Sequence, residues 1–533
     1  MYKNNDETYS LGIEIGSTRI KAILIDSTSK TVANGIHEWE NQYIEGVWTY
    51  ELDDVWVGIQ DAVSQIVEIA KNNDIELSNV KTLGISAMMH GYLVFDKDDK
   101  QLVPFRTWRN VMTQESSEKL TKLFSFNIPE RWSIAHLYQA ILNEEEHVED
   151  VAFITTLAGY VHWKLTGRKV LGIGDASGMF PIGHGTTEYD AKMISQFNNL
   201  LREHNLNYEI QDILPEILIA GQNAGTITEG GLQLLDPSKN LSSIVCLAPP
   251  EGDAGTGMVA TNSVAINTGN ISAGTSVFAM TVLEHPLKSV YPEIDIVTTP
   301  SGESVAMVHA NNCTTEINAW IDLFAEVMTL SGHEVDKRVL YKETFKKAMH
   351  AENSIDHLVY GYHSGESITR IDQGAPLYVR KPESPLNVAN FMRAHLDSAF
   401  ATLHLGMQIL EEEGVEVRDM VGHGGIFQTE GVAQKIVAQA VGGPVTVMDT
   451  ASEGGAWGMA VLAKYCYDNK DQTLKGYLDE TIFDDVSKQT YIPTQDEIKA
   501  YREKAKIYEK SIDIERMAVS LFVKGEDKDV RIS

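Results

Sequence analysis

The chain has 533 residues, 43% hydrophobic and 22% charged, the proportions of a folded globular protein too long for one core. Its formal net charge of −31 argues against a nucleic-acid partner, whose phosphates need a basic face, and suits a self-repelling cytoplasmic surface. Three cysteines without C-x-x-C spacing offer neither a zinc site nor a disulfide framework, Met1 to Ser10 lacks an apolar signal region, and no apolar run of about 18 residues reads as a membrane span.

Tyr9 to Ile15 reads as a strand, Gly16-Ser17-Thr18 as a turn, Ile20 to Ile25 as a second strand and Thr31 to Trp39 as a third. Turns this short predict antiparallel neighbours. Leu52-Asp53-Asp54 opens a helix to about Asn72, with Val55, Ile59, Val63, Ile66 and Ile69 at helical spacing and an Asp available as cap. Val80 to Ser86 reads as a buried strand ending in Ala87-Met88-Met89-His90-Gly91. Tyr92 to Phe95 and Gln101 to Phe105 flank an acidic turn at 96–100. It lacks the glycine and terminal glutamate of a calcium loop, so it reads as a solvated hairpin. Asn127 to His162 is mostly helical, and Asp175-Ala176-Ser177-Gly178 is a loop. Gly172-x-Gly174-x-x-x-Gly178 is one residue off a dinucleotide fingerprint and lacks the strand–turn–helix setting.

Near the middle stands Glu251-Gly252-Asp253-Ala254-Gly255-Thr256-Gly257, where an acid among glycines can approach a substrate without crowding. Ile271-Ser272-Ala273-Gly274-Thr275-Ser276, followed by Val277 to Leu283, then repeats the opening pattern of strand, glycine-hydroxyl turn and strand. Two copies predict two domains of one topology, facing each other and divided near residue 260. Further on, Asn390 to Glu413 reads as one long helix. A strand from Asp419 ends in Gly422-His423-Gly424-Gly425, a helix carries Val432 to Val441, and Pro444 to Met448 is a strand. Ser452-Glu453-Gly454-Gly455-Ala456-Trp457-Gly458 opens an Ala-rich helix to about Tyr467. The charged C-terminal stretch, with a helix near 495–511, reads as an appendage on the second domain.

Glycine-hydroxyl turns between strands suit nucleotide phosphates, because the backbone comes close and successive N–H groups face the anion. Either turn alone is equally well a tight hairpin. Their pairing, with glycine loops at 422–425 and 453–458, favours a nucleotide, and no Walker-type P-loop is present.

In this order the motifs resemble those of the FGGY carbohydrate kinases, members of the actin/hexokinase/Hsp70 ATPase superfamily, over nearly the whole chain. Gly12 to Lys21 looks like the first phosphate motif, Met89-His90-Gly91 the sugar-side motif, and Thr107-Trp108-Arg109-Asn110 the segment after it. Asp175-Ala176-Ser177-Gly178 is similar to the family's Asp-Ala-Ser-Gly. Glu251-Gly252-Asp253 resembles the catalytic-base segment, Gly274-Thr275-Ser276 the second phosphate motif, and Gly422 to Gly425 with Gly454-Gly455 the adenosine motif. The resemblance implies an α/β fold of two actin-like ATPase (ribonuclease H-like) domains with a cleft between them. Residues 1–260 would hold the sugar, the first phosphate motif and the base. Residues 261–533 would hold the second phosphate and adenosine motifs and a helical appendage. Two positions depart from the family pattern: Glu14 stands where Asp is usual, and His423 where small residues are usual.

The roles that the resemblance implies are those of a sugar kinase using ATP and Mg²⁺. Asp253 is the general base, taking a proton from a sugar hydroxyl as it attacks the γ-phosphate, and with Glu14 it holds Mg²⁺. Met89, His90, Gly91, Trp108, Asn110 and Asp253 meet the sugar. Gly16, Ser17, Thr18, Gly274, Thr275, Ser276, Gly424, Gly425, Gly454 and Gly455 meet ATP. Bland alternatives stand beside these: Asp253 as a helix cap, His90 as a satisfied structural histidine, Trp108 as core, Lys21 as a surface or phosphate residue. Glu14, between Ile13 and Ile15 in a buried strand, needs a partner in any reading. The family also implies closure about a hinge near residue 260, and homodimers are common in it. The partners expected are a small-molecule sugar and ATP, with no nucleic acid and no membrane. Met-His-Gly is similar to the pentulose branch. The form Glu-Ile-Gly-Ser-Thr-Arg-Ile-Lys with Trp-Arg-Asn favours L-ribulose, with D-xylulose as the alternative. The reading from another class is an actin-like ATP-binding sensor or scaffold without turnover.

Overall fold

The structure is a computed structural model that describes residues 7–352, 354–448, 454–468 and 471–523. Met1 to Asp6 of the polar N-terminal stretch, and Ser452 and Glu453 of the last glycine loop, lie outside the described residues. The chain forms two compact units. Unit 1 gathers Met1–Ile266, Val282–Ala306 and Glu453–Asp485, and unit 2 gathers Asn267–Thr281, Met307–Ser452 and Val486–Ser533.

In unit 1, β1 (Tyr9–Ile15), β2 (Arg19–Ile25) and β3 (Thr31–Glu38) form the antiparallel meander that the short turns predict. The helix α1 (Leu52–Asn72) buries Val55, Ile59, Val63 and Ile66 on the apolar face read from the spacing. Its start differs from expectation. Glu51 occupies the N-cap without a side-chain bond, and Asp53 and Asp54 sit in the first turn, where they complement the helix dipole instead of capping. β4 (Val80–Ala87) joins β1 in parallel, giving the order β5–β4–β1–β2–β3 with β5 at Cys246–Leu247. β6 (Glu251–Gly252) also pairs with β4, and the chain turns directly from it into α3 (Asp253–Ala260). Between β4 and β5 in sequence, the expected loop at Asp175 is the end of a one-turn helix, α2 (Ile173–Ala176).

Alternation along β1 puts Leu11, Ile13 and Ile15 on one face, fully buried, and Gly12 and Glu14 on the other. Across that second face lies α4 (Gly454–Asp468), so this late segment returns to the first unit. A Cβ on Gly12 would stand 2.1 Å from the carbonyl oxygen of Ala456, so only glycine lets helix and strand come this close.

Unit 2 repeats the plan. β7 (Thr268–Ala273) pairs antiparallel with β8 (Val277–Val282) and parallel with β9 (Asp419–His423). The order continues through β10 (Val445–Met448) to β11 (Lys488–Tyr491). The single helix expected over 390–413 is two, Val388–Ala399 and Ala401–Glu412, broken at Phe400 where ψ falls to 2°. Both pieces bury apolar residues in phase, so periodicity runs through the break without marking it. Among the described residues no helix is long and apolar enough to cross a membrane.

Candidate active site

Four carboxyl side chains gather in unit 1 around the ends of β1, β4 and β6. Asp253 is the first residue of α3. Its side chain is accessible to solvent although protein surrounds its position, the combination that a group acting on a substrate requires. Desolvation by that surrounding protein raises its carboxyl to about 6, against the backbone N–H groups of Ala254, Met89 and Asp253 itself, which lower it. Glu14, half-buried, is pushed up to about 7, first by burial and then by the charge of Asp253; Lys21 and the N–H of Ala456 pull the other way. Lys21 stands opposite Glu14 in the β1–β2 register. Glu14 reaches across to the start of α4, where its Oε2 accepts the Ala456 N–H at 3.2 Å and its Oε1 fills the space beside Gly455. Behind them lie Asp175 and Glu251, fully buried and raised to about 7 and about 8 by burial first. Asp175 Oδ2 accepts from Thr156 Oγ1 at 2.6 Å, and its Oδ1 has no partner.

The sugar-side motif follows β4. His90 and Gly91 both take positive φ, 69° and 90°, an uncommon state for histidine that marks a constrained turn. His90 Nδ1 lies 3.1 Å from the Gly178 carbonyl oxygen. A carbonyl only accepts, so Nδ1 carries the proton and Nε2 is left as an acceptor. Burial, reinforced by Arg131, lowers His90 to about 3, so the ring is neutral across the physiological range. Met89 is buried, and its backbone N–H helps to hold the Asp253 carboxyl down against desolvation. The segment leading into Asp253 and the turn at His90 are tied through the pairing of β6 with β4.

Trp108 is 37% exposed, which removes the core alternative, and its Nε1 donates to Ser17 Oγ at 3.1 Å. Asn110, read from sequence as a sugar contact, is buried with its amide spent inside the protein. It donates to Trp48 O and Thr107 O and accepts from Trp48 N, pinning the neighbouring strand residue. The first phosphate turn is tight, with Gly16 N donating to Arg19 O at 2.9 Å, and is braced by Trp39 Nε1 on Gly16 O and Tyr50 OH on Ser17 O. Gly454 and Gly455 open α4 and lie in unit 1 with it.

In unit 2 the matching turn leaves Gly274 and Thr275 exposed, with Ser276 half-buried. Gly274 N donates to Ser276 O at 2.8 Å, and Thr314 Oγ1 donates to Gly274 O at 2.7 Å. Gly424 takes φ 109° and its α-carbon abuts Ala273, so the 422–425 loop packs on the strand leading into the phosphate turn. Gly425 is exposed, and a Cβ there would meet no atom within 4 Å. His423, the departure noted above, is neutral because burial lowers it to about 4, and its Nε2 has no partner.

Sequence reasoning missed Arg131. Its carbonyl accepts the Gly91 N–H, its guanidinium pairs with Asp295, and its charge acts on His90. A cation just ahead of the apolar helix Ser133–Leu142 was the available signal.

Two family models match the chain. One describes the N-terminal domain of the FGGY family of carbohydrate kinases, over residues 9–236, and the other the C-terminal domain of the same family, over 269–467. The chain belongs to the FGGY family of carbohydrate kinases. A xylulose kinase of Haemophilus influenzae is 23% identical over 475 residues, covering 83% of this chain and 91% of that one. The ligand-bound xylulose kinase of Lactobacillus acidophilus superimposes with a TM-score of 0.76 at 17% identity, covering 97% and 99% of the two chains. The Plasmodium falciparum glycerol kinase solved with ADP reaches 0.73 at 13% identity, covering 95% and 98%. This FGGY kinase therefore has the mixed α/β, two-domain, actin-like ATPase fold that the motifs imply.

Proposed function

We propose that this FGGY kinase transfers the γ-phosphate of ATP to a hydroxyl of a ketopentose, with Asp253 as the general base. The observation that carries the reading is the arrangement at the end of β4. An accessible carboxylate begins α3 directly after β6, which pairs with β4, and the turn that follows β4 carries a neutral His90 that presents Nε2 as an acceptor. His90 Nε2 takes a hydrogen bond from one sugar hydroxyl and fixes the ring or chain in place. Asp253 takes the proton of the reacting hydroxyl as its oxygen bonds to the γ-phosphorus, and ADP leaves. The turns Gly16-Ser17-Thr18 and Gly274-Thr275-Ser276 supply N–H and O–H donors for the phosphates, and Gly424, Gly425, Gly454 and Gly455 line the nucleotide.

The donor set fits a divalent cation such as Mg²⁺. The charge of Asp253 raises the proton affinity of Glu14, and among the described residues no third His, Cys, Asp or Glu completes a cage. Two carboxylates and retained water are what Mg²⁺ accepts at a phosphate site. Glu14 and Asp253 would hold it, and it would supply charge neutralisation at the phosphate oxygens.

D-xylulose is supported by the full-length relative named xylulose kinase, and L-ribulose by the form of the first phosphate motif with Trp108-Arg109-Asn110. ADP release from Mg-ATP, measured with L-ribulose, D-ribulose, D-xylulose, L-xylulose and glycerol, separates them. Stimulation by no polyol would defeat the kinase reading for this set. A preference for glycerol would defeat the pentulose reading, and the ratio of D-xylulose to L-ribulose kcat/KM decides between the two sugars.

A further inference from the structure

The glycine run 172–178, which has no nucleotide setting, faces the reaction site instead. A Cβ on Gly172 would stand 2.3 Å from Glu251 Oε1, one on Gly174 2.4 Å from Glu251 Oε2, and one on Gly178 2.7 Å from His90 Nδ1. The run is a seat with two occupants, the carboxyl of Glu251 and the ring of His90. Glu251 is held there by both oxygens. Oε1 accepts the Gly174 N–H at 3.4 Å, Oε2 accepts the Asp175 N–H at 3.1 Å, and Gly172 N donates to Pro250 O at 2.7 Å beside it. No cation pairs with this buried side chain among the described ion pairs. Two residues on, with only Gly252 between, stands Asp253.

We infer that Glu251 is a positioning residue, whose carboxyl docks in the seat formed by Gly172 and Gly174 and thereby fixes where Asp253 and His90 stand relative to each other. The seat ties β6, which leads into the base, to the same segment, 172–178, whose Gly178 carbonyl holds His90. A shift of either occupant by an ångström misplaces the proton acceptor against the bound hydroxyl, and such misplacement costs on the order of 10²-fold in rate.

The inference rests on Asp253 as base, and the test keeps the two apart. Glu251→Gln retains the volume but turns one acceptor into an NH₂ facing a backbone N–H. Its kcat is expected to fall about 10- to 100-fold, with sugar KM within about two-fold of wild type. Gly174→Ala, which pushes a methyl against Oε2, is expected to give the same kcat loss. In Glu251→Ala that second substitution adds nothing, because the carboxyl it collides with is gone. A folded Glu251→Gln enzyme with wild-type kcat, a loss lying wholly in KM, or additive losses in the double variant would each overturn the inference. Should Glu251→Gln fail to fold, the Gly174→Ala and Glu251→Ala pair still decides it. Asp253→Asn in parallel reports on the base: turnover surviving there defeats the base reading, whereas turnover lost there but intact in the Glu251 and Gly174 variants defeats only the positioning role.

Discussion

The two units carry the same strand–turn–strand device with different chemistry loaded on it. In unit 1, β1 leads into Gly16-Ser17-Thr18 and pairs antiparallel with β2 and parallel with β4. In unit 2, β7 leads into Gly274-Thr275-Ser276 and pairs antiparallel with β8 and parallel with β9. Aligned on their glycines, Glu14 corresponds to Ser272. Across the parallel pairing Glu14 faces Ser86, whereas Ser272 faces His423. The backbone needed to face a phosphate is thus present twice, but the carboxylate is placed once, beside Asp253. On the proposed reading, the duplicated geometry serves binding and the reacting groups belong to one copy.

The largest break in that asymmetry comes from Asp253→Asn. The amide keeps the shape but cannot take a proton, so kcat is expected to drop roughly 10²- to 10⁴-fold while sugar binding, followed by calorimetry, persists. Near-wild-type ADP release would move the base elsewhere. Next is Glu14→Ser, which rewrites the first copy as the second. It is expected to lower kcat about 10- to 100-fold and to raise the Mg²⁺ concentration needed for half-activity, in the range seen when groups that set metal affinity are removed. Ser272→Ala in unit 2 should cost far less on both readouts. Equal losses from the two variants would mean the copies share the metal chemistry.

A smaller effect is read in pH. The free base must be ionised, and Asp253 is raised to about 6, so kcat/KM should fall tenfold per unit below about pH 6 and level off above it. Glu14 and Asp253 interact, so the midpoint belongs to the pair. A profile flat down to pH 5 would contradict the assignment.

Much of unit 1 was legible in the sequence because its signals are local. The bounds of β1 and of α1 follow directly from alternation and helical spacing. Other features answer to distant partners. The sequence rejects Gly172 and Gly174 as a dinucleotide loop but assigns them no use until Glu251 is placed against them, and Asn110 looks like a ligand group until Trp48 is found consuming its amide. The return of 453–485 to unit 1 has no local mark either. It depends on Gly12 lying under Ala456, a fit between residues far apart in sequence. The break at Phe400 escapes because burial stays in phase on both sides.

The smallest expected effect is thermodynamic and compares the units without turnover. A carboxyl whose folded value is raised stays protonated in the native state after the unfolded chain has ionised. Its stabilisation is full below the unfolded value near 4 and is lost as pH rises through the folded value. Histidines lowered by burial act oppositely, their contribution growing until the unfolded ring has lost its proton above about 6.5, and among the described residues each unit holds four of them, His90, His136, His147 and His162 against His357, His395, His404 and His423. Between pH 6.5 and 8.5 it is therefore the raised carboxyls that separate the two units, and they move stability downward. Unit 1 holds Glu14 and Asp175 at about 7 and Glu251 at about 8, whereas unit 2 holds Glu366 and Glu515 at about 7. Each group contributes about 1 kcal/mol over that window, and Glu251 nearer ~2. Amide exchange in β1 and β4, corrected for intrinsic rates, should therefore lose more protection across the window than exchange in β7 and β9. Glu251→Gln should bring the two units close to parity. If unit 2 loses as much as unit 1 in the wild-type chain, the acids of unit 1 are paired in solution more fully than this geometry has them, and the asymmetry between the two copies is chemical without being energetic.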